Sequence, residues 1–282
     1  MGIRNFFHKI KMGFVRAFEE SIPNVSSKKR YGDSGENEFI YSLMQLLPDC
    51  QIKRNVIIDN SEGAAEIDCI VLYKDKLFAI EIKRWKGCVY ETENGFVQEK
   101  TDQWTGETHK KFIKSPFGQL NRSIYLLKKS IPEKAWINSV VFFDNDEFEE
   151  ISSFSKDIWF SDISQLVNYI VNEGKETKHH NAVNFFDKCR QSDLLYSNVW
   201  DRSLHCLICD ESLKFLVENT PLSRSQIEHI EIEHHWSYDE IFITSLNGRV
   251  YSCIHENSKI GVIENRRVKE YALCKLDYIE IG

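Results

Sequence analysis

Hydrophobic and polar positions along the chain alternate with two periods, and the switches between them mark its elements. At helical spacing, Ile3, Phe6, Phe7, Ile10, Phe14, Val15 and Phe18 form a stripe between Arg4, Lys9, Lys11 and Arg16, which predicts a basic amphipathic helix over 3–20. Residues 21–30, with Pro23 and Lys28-Lys29-Arg30, read as a linker. A second helix is predicted over 34–47, capped by Ser34 and carrying Phe39, Ile40, Leu43, Leu46 and Leu47 on one stripe, with Glu36 in its first turn. Strand patterns follow at 52–58, 65–73, 76–84, 87–92 and 95–99. After a polar, lysine-rich loop, Pro116 opens a helix running to about Ser130. Residues 137–143 and 158–160 read as strands, 161–173 as a helix capped by Ser161 or Asp162, and 181–197 as a bridging helix. Short strands are expected at 240–246, 249–254, 260–264 and 276–281, with Asn247-Gly248 a hairpin turn.

Strands flanked by helices predict an α/β fold with a mixed central sheet, followed by a small C-terminal module. The expected division is 1–30 for the N-terminal helix and linker, 31–175 for the main domain, 176–202 for a connecting helix and 203–282 for the accessory module.

Two of the strands carry charge where a buried sheet has none to spare: Glu66 and Asp68 in the first, Glu81 and Lys83 in the second. If Lys74-Asp75 is a two-residue turn, Tyr73 pairs with Lys76, Asp68 falls opposite Glu81, and Glu66 opposite Lys83. Ile67, Cys69 and Val71 then meet Phe78, Ile80 and Ile82 on the other, apolar face. Two carboxylates about 5 Å apart repel unless a cation lies between them, and oxygen ligands of this kind suit a hard divalent metal. Asp68, Glu81 and the carbonyl of Ile82 therefore form a candidate site for Mg²⁺ or Mn²⁺. Lys83 stands ready to orient or deprotonate a metal-bound water and to offset phosphate charge, which suits hydrolysis of a phosphodiester. A salt-bridged polar sheet face is the simpler reading of the same spacing.

Charge sharpens the picture only locally. The formal net charge of −7 argues against bulk coating of nucleic acid. Residues 83–129 nevertheless hold ten basic against five acidic side chains, whereas 201–282 hold nine against fourteen. Arg84, Lys86, Lys110, Lys111, Lys114 and Arg122, with Lys128 and Lys129, are thus candidate phosphate contacts, or else a solvated basic face. The eight cysteines and the lack of a secretory signal pattern predict reduced thiols and a cytoplasmic setting.

In order and spacing, these landmarks resemble the nuclease-related domain (NERD) family of the PD-(D/E)xK nuclease superfamily. They are Gly32-Asp33-Ser34-Gly35-Glu36, Glu66-Ile67-Asp68, Ile80-Glu81-Ile82-Lys83, Gly87, Trp104, Ser115-Pro116 and Gln119. The resemblance covers about 31–172 and implies a restriction-endonuclease-like core. It implies Asp68 and Glu81 as main metal ligands, Lys83 as catalytic lysine, Glu36 as an added acidic ligand, and Gln119 as a polar group arriving from the later helix. Where the family usually has Gln, this chain has Glu66, a candidate ligand for a second metal; where it often has His, this chain has Cys69.

In the C-terminal module, Cys206 and Cys209 are followed by His229 and the pair His234-His235. Cys-x2-Cys and His-x4-His on one helix face are tetrahedral zinc spacing, so Cys206, Cys209, His229 and His234 are a candidate structural Zn²⁺ site of Cys2His2 type, with Cys253 or His255 as alternative ligands. Its acidic surroundings disfavour DNA phosphate.

The function expected from the sequence is a Mg²⁺-dependent deoxyribonuclease, with RNA as the alternative substrate, acting in genome maintenance or antiviral defence. The competing expectation is a catalytically idle nuclease-like domain that binds nucleic acid or a protein within a larger assembly. Expected partners are DNA and, through the N-terminal helix and acidic module, a protein or a second copy; the basic helix also suits a membrane surface.

Overall fold

The Lys74-Asp75 turn sets the register of the central sheet. Lys74 takes a left-handed φ of 54°, and pairing runs from Tyr73↔Lys76 to Cys69↔Ile80, as the alternation predicts. The computed structural model describes residues 27–92, 95–102, 104–144, 148–149, 158–174, 181–197, 202–217, 220–235, 238–255, 259–264 and 267–282. The helix expected over 3–20 lies outside them.

The described residues form two compact units, meeting in sequence at Gln191 and Ser192. In the first, α1 (Ser27–Leu46) precedes the hairpins β1 (Gln51–Asn60), β2 (Gly63–Tyr73) and β3 (Lys76–Lys83). Then come β4 (Cys88–Thr92), β5 (Gly95–Thr101), β6 (Thr108–Ile113), α2 (Pro116–Ser130), β7 (Ile137–Phe143), β8 (Phe148–Glu149), β9 (Ile158–Phe160), α3 (Ile163–Glu173) and α4 (Asn181–Lys188). The central sheet has the order β1-β2-β3-β7-β9. Its β1, β2 and β3 are antiparallel, while β7 runs parallel to β3, and β9 to β7. A second sheet, β6-β5-β4-β8, follows from the C-terminal end of β3.

Each face of the central sheet carries its own core. Phe39, Ile40 and Leu43 of α1, with Leu166 and Ile170 of α3, cover Cys69, Val71, Phe78, Ile80 and Ile82. Phe117, Leu120, Ile124 and Leu127 of α2, with Phe185 and Phe186 of α4, cover Ile70, Leu72, Leu77, Ala79 and Val141. α1 begins at Ser27 rather than Ser34; the Lys and Arg of its first turn are good helix formers despite their linker-like polarity. The expected bridging helix also ends early. Its apolar side packs into the core, and Asp193–Ser197 then pairs as a strand.

β1 and β2 change faces part-way along. Pairing passes from Arg54↔Cys69 to Val56↔Ile67, skipping Asn55 and Asp68, and Asn55 has a φ of 46°. Before this point Ile52 and Cys69 join the α1 side; beyond it Val56, Ile58 and Ile67 join the α2 side. Ile67 is therefore not on the Cys69–Val71 face that strict alternation predicts. A left-handed residue inside a strand reverses its pleat, and Asp68 sits at the reversal.

The second unit contains β10 (Asp193–Ser197), β11 (Arg202–Ile208), β12 (Phe215–Val217), β13 (Thr220–Leu222), β14 (Ile227–His234), β15 (Asp239–Ser245), β16 (Val250–His255), β17 (Lys259–Glu264), β18 (Arg267–Ala272) and β19 (Tyr278–Glu280). Eight of these form one sheet, β16-β15-β14-β19-β10-β11-β17-β18. Ile230, Ile232, Ile241, Ile243, Val262, Tyr271 and Ile279 fill its core. Asp193, fully buried, accepts from Arg224 and from the backbone amides of Ile208 and Gly282. The zinc-finger helix expected around His229 is a strand.

Candidate active site

The site lies where β2 and β3 part. The β2–β3 ladder ends at Cys69↔Ile80, and the side chain of Asp68 takes over from the missing backbone partner. Its Oδ2 accepts from the Ile82 amide at 2.7 Å. On the other edge of β3, the Lys83 carbonyl accepts from the Asp144 amide at 3.0 Å. In an extended strand the N–H and C=O of one residue point to the same side, and neighbouring residues point to opposite sides. The Ile82 carbonyl therefore faces the gap that holds Asp68.

Glu81 points from β3 toward the α2 side, two residues on from Ala79, and is only 1 % exposed. Its Oε1 accepts from the Lys83 ammonium. Its Oε2 is buried and has no hydrogen-bond partner among the described residues. A buried, unsatisfied carboxylate oxygen costs several times what a neutral hydrogen bond contributes, so a native structure that keeps one has a use for it. Burial alone pulls Lys83 toward a lower pKa, but the charges of Glu81, Asp68 and Glu36 outweigh it and hold the ammonium above the ordinary lysine value.

Glu36 reaches this field from α1. It stands one helical turn before Phe39 and Ile40 on the stripe that continues through Leu43 and Leu47, so it faces the sheet at the sheet's charged end. Gly35 makes that approach possible: a Cβ there would lie 2.6 Å from Cδ of Arg84. Arg84 in turn bridges Glu38 at 3.0 Å and Asp144 at 3.2 Å. It ties α1 to the ends of β3 and β7 and is committed to that network rather than held out toward a ligand. Cys69, also beside the site, is fully buried, and burial with the neighbouring carboxylates raises its thiol well above the ordinary value. It is an inert thiol.

The structure thus brings Asp68, Glu81, Ile82, Lys83 and Glu36 together. Glu66 is exposed and lies beyond the last β2–β3 pair, so the expected Glu66–Lys83 pairing is not part of the ladder. Gln119 is exposed in the first turn of α2, and its amide makes no hydrogen bond to the charged cluster among the described residues. The carboxylates of Glu36, Asp68 and Glu81 do not all lie within 4.8 Å of one another. Lys86, Lys110, Lys111, Lys114 and Arg122 are exposed, with Lys110 at 2.5 Å from Glu99. Sequence reasoning missed the Arg84 network, the Asp68 bond to Ile82, and the strand reversal at Asn55. Only the last had a local signal, since Asn is the residue most tolerant of a left-handed conformation after Gly.

These positions fall in one continuous stretch of sequence. Residues 31–144 match the family model of the nuclease-related domain, NERD. No curated protein and no solved structure gives a significant match. The matched stretch holds Glu36, Asp68, Glu81, Lys83, Gln119 and all eight basic residues singled out above. The cysteine and histidine quartet lies outside.

That quartet does not assemble. Cys206, Cys209, His229 and His234 are not among the described groups of metal-ligating side chains that converge within 4.8 Å. Ile230 and Ile232 are buried at strand spacing, so 227–234 forms β14 rather than a helix, and an odd separation sends His229 and His234 to opposite faces. His234 instead bonds Asp239 at 2.8 Å, and Cys206 is buried in the core. All eight cysteines are free thiols. The cluster that does converge is Glu233, His235 and Glu240, at the end of the β14–β15 hairpin. No described helix is long and apolar enough to cross a membrane.

Proposed function

We propose that the NERD region is a divalent-metal-dependent nuclease that hydrolyses phosphodiester bonds in DNA. The observation that carries this reading is the buried Oε2 of Glu81, which lacks a partner among the described residues although its twin oxygen holds Lys83. Glu81 and Asp68, with the Ile82 carbonyl facing the gap and Glu36 adding charge from α1, would hold a divalent cation that supplies this partner. Oxygen donors of this kind suit Mg²⁺ or Mn²⁺. When bound, the metal supplies a Lewis acid and lowers the pKa of a water.

The chain's own residues do the rest. Asp68, fixed by its bond to the Ile82 amide, keeps β2 and β3 apart and holds one carboxylate at the gap. Glu81, rigid within β3, aims the other. Lys83 is a protonated ammonium at neutral pH because three carboxylates favour its charged form, so its first role is to offset negative charge on the phosphate. The closed Glu81–Lys83 pair is also what an idle domain would keep, and activity separates the two readings. Incubating plasmid DNA with the protein in Mg²⁺, Mn²⁺ or EDTA, alongside Lys83→Ala and Glu81→Gln, is the test. Metal-dependent nicking by the wild type alone supports the enzyme; equal behaviour of all three proteins removes it.

A further inference from the structure

The β5–β6 hairpin has a buried base and a solvent-exposed outer half. Phe96, Val97 and Gln98 are buried, whereas Lys100, Thr101 and Asp102 on one strand and Thr108–Phe112 on the other are exposed. β6 is an edge strand, so both faces of this ribbon meet water. The base is fastened beside the candidate active site: Gln98 donates to the Lys86 carbonyl at 2.6 Å, three residues beyond Lys83. Gly87 lies against the Glu99 carbonyl so closely that a Cβ would stand 2.2 Å from it.

The tip is held by its own hydrogen bonds. The Asp102 amide donates to the Glu107 carbonyl and the Gly106 amide to the Asp102 carbonyl, both at 2.8 Å. The Asp102 carboxylate accepts from the amides of Trp104 at 2.8 Å and Thr105 at 2.9 Å. Beside these bonds Trp104 is 96 % exposed, with Phe112 at 71 % on the same ribbon. An indole this exposed buries almost no surface within the fold, and the turn bonds position its backbone for contact with a partner.

The charge around it selects the partner. Lys100, Lys110, Lys111 and Lys114 are exposed, against three acids: Glu99, which is paired with Lys110, Asp102, whose carboxylate accepts from turn amides, and the exposed Glu107. Aromatic rings interleaved with lysines suit a nucleic-acid strand, the rings stacking on bases and the ammonium groups meeting phosphates. In a duplex the faces of the bases are covered by their neighbours, so a ring at a protruding tip needs an unpaired base.

We propose that the β5–β6 ribbon is a DNA-binding arm and that Trp104 stacks on an unpaired base, so that the preferred substrate carries single-stranded DNA beside the scissile phosphate. The proposal deepens the nuclease reading and rests on it for the choice of DNA. From Gln98 to the tip the ribbon spans about 15–20 Å at ~3.3 Å per residue, a reach of about five stacked nucleotides.

The test is fluorescence anisotropy in EDTA with a labelled 20-nucleotide single strand and a blunt duplex of the same sequence. Trp104→Ala is expected to weaken single-strand binding at least about fivefold, the low end of what base–aromatic stacking supplies, to leave duplex binding within about twofold, and to be largely rescued by Trp104→Phe. Trp104 is outside the core, so circular dichroism of the variants should match the wild type. Unchanged single-strand affinity in Trp104→Ala, equal losses on both substrates, or no binding by the wild type overturns the arm. Incubating the same oligonucleotides with Mg²⁺ keeps the two ideas apart. Trp104-dependent binding without cleavage sinks the nuclease and keeps the arm; cleavage with Trp104-independent binding does the reverse.

Discussion

Glu81 and Lys83 depend on each other more than surface ion pairs do, because the carboxylate is buried and its partner is largely so. Removing the ammonium leaves a buried charge with one atom already unsatisfied. Lys83→Met, which keeps the volume, is therefore expected to cost about 3 kcal/mol in metal-free buffer at neutral pH. The pH dependence has a definite sign. Lys83 is held above the ordinary value of 10.5 in the fold, so its contribution is fully present below that value and is lost as the pH rises through the higher, folded one. Urea unfolding of both proteins from pH 7 to 12 should show a gap that is constant up to about pH 10 and closes above it. A gap that persists at pH 12 would show that the effect is packing. The charged residues of this cluster were legible in the sequence as carboxylates and a lysine interrupting apolar strands. What was not legible is which oxygen each uses, since that depends on where the ladder stops.

The elements that shape the site were read unevenly. The β2–β3 register followed from a two-residue turn and alternation, and α2 from Ser115-Pro116, whose serine caps it by accepting from the Phe117 amide. The reversal at Asn55 broke the strict period, so Ile67 was assigned to the wrong core. In the second unit, histidine spacing suggested a helix where Ile230 and Ile232 already carried the strand period. Gly87, at a φ of 85° and pressed on the Glu99 carbonyl, is where the chain turns from the active-site strand into the arm. Gly87→Ala combines an unfavourable φ with a backbone clash and is expected to cost about 2 kcal/mol or more. Hydrogen exchange should locate the loss at β4 and β5; protection there equal to the wild type's would contradict the role given to this turn.

At the scale of the molecule, the two units are built from separate cores. Every residue of the two sheet-face clusters lies within 27–191, and every residue of the third lies beyond 191. A fragment spanning Ser27–Gln191 is expected to fold by itself with a cooperative thermal transition and to show the proposed metal-dependent cleavage as the full chain does. A fragment that stays unfolded would show that the second unit completes it. The division of labour was partly visible in the sequence, where basic side chains gather between 83 and 129 and acidic ones beyond 200. Of the large C-terminal sheet, β15, β16, β17 and β19 were legible as strands, whereas β10 was read as the end of a helix and β14 as a zinc-finger helix. The central claim is that Glu81, Asp68 and Lys83 form a metal-dependent nuclease centre, and single-turnover cleavage of plasmid DNA tests it most directly. Cleavage by the wild type in Mg²⁺ or Mn²⁺, none in EDTA, and a rate at least about 100-fold lower in Lys83→Ala and Glu81→Gln is the predicted result. Cleavage indifferent to metal and to both substitutions, or no cleavage by the wild type under any of these conditions, would contradict it.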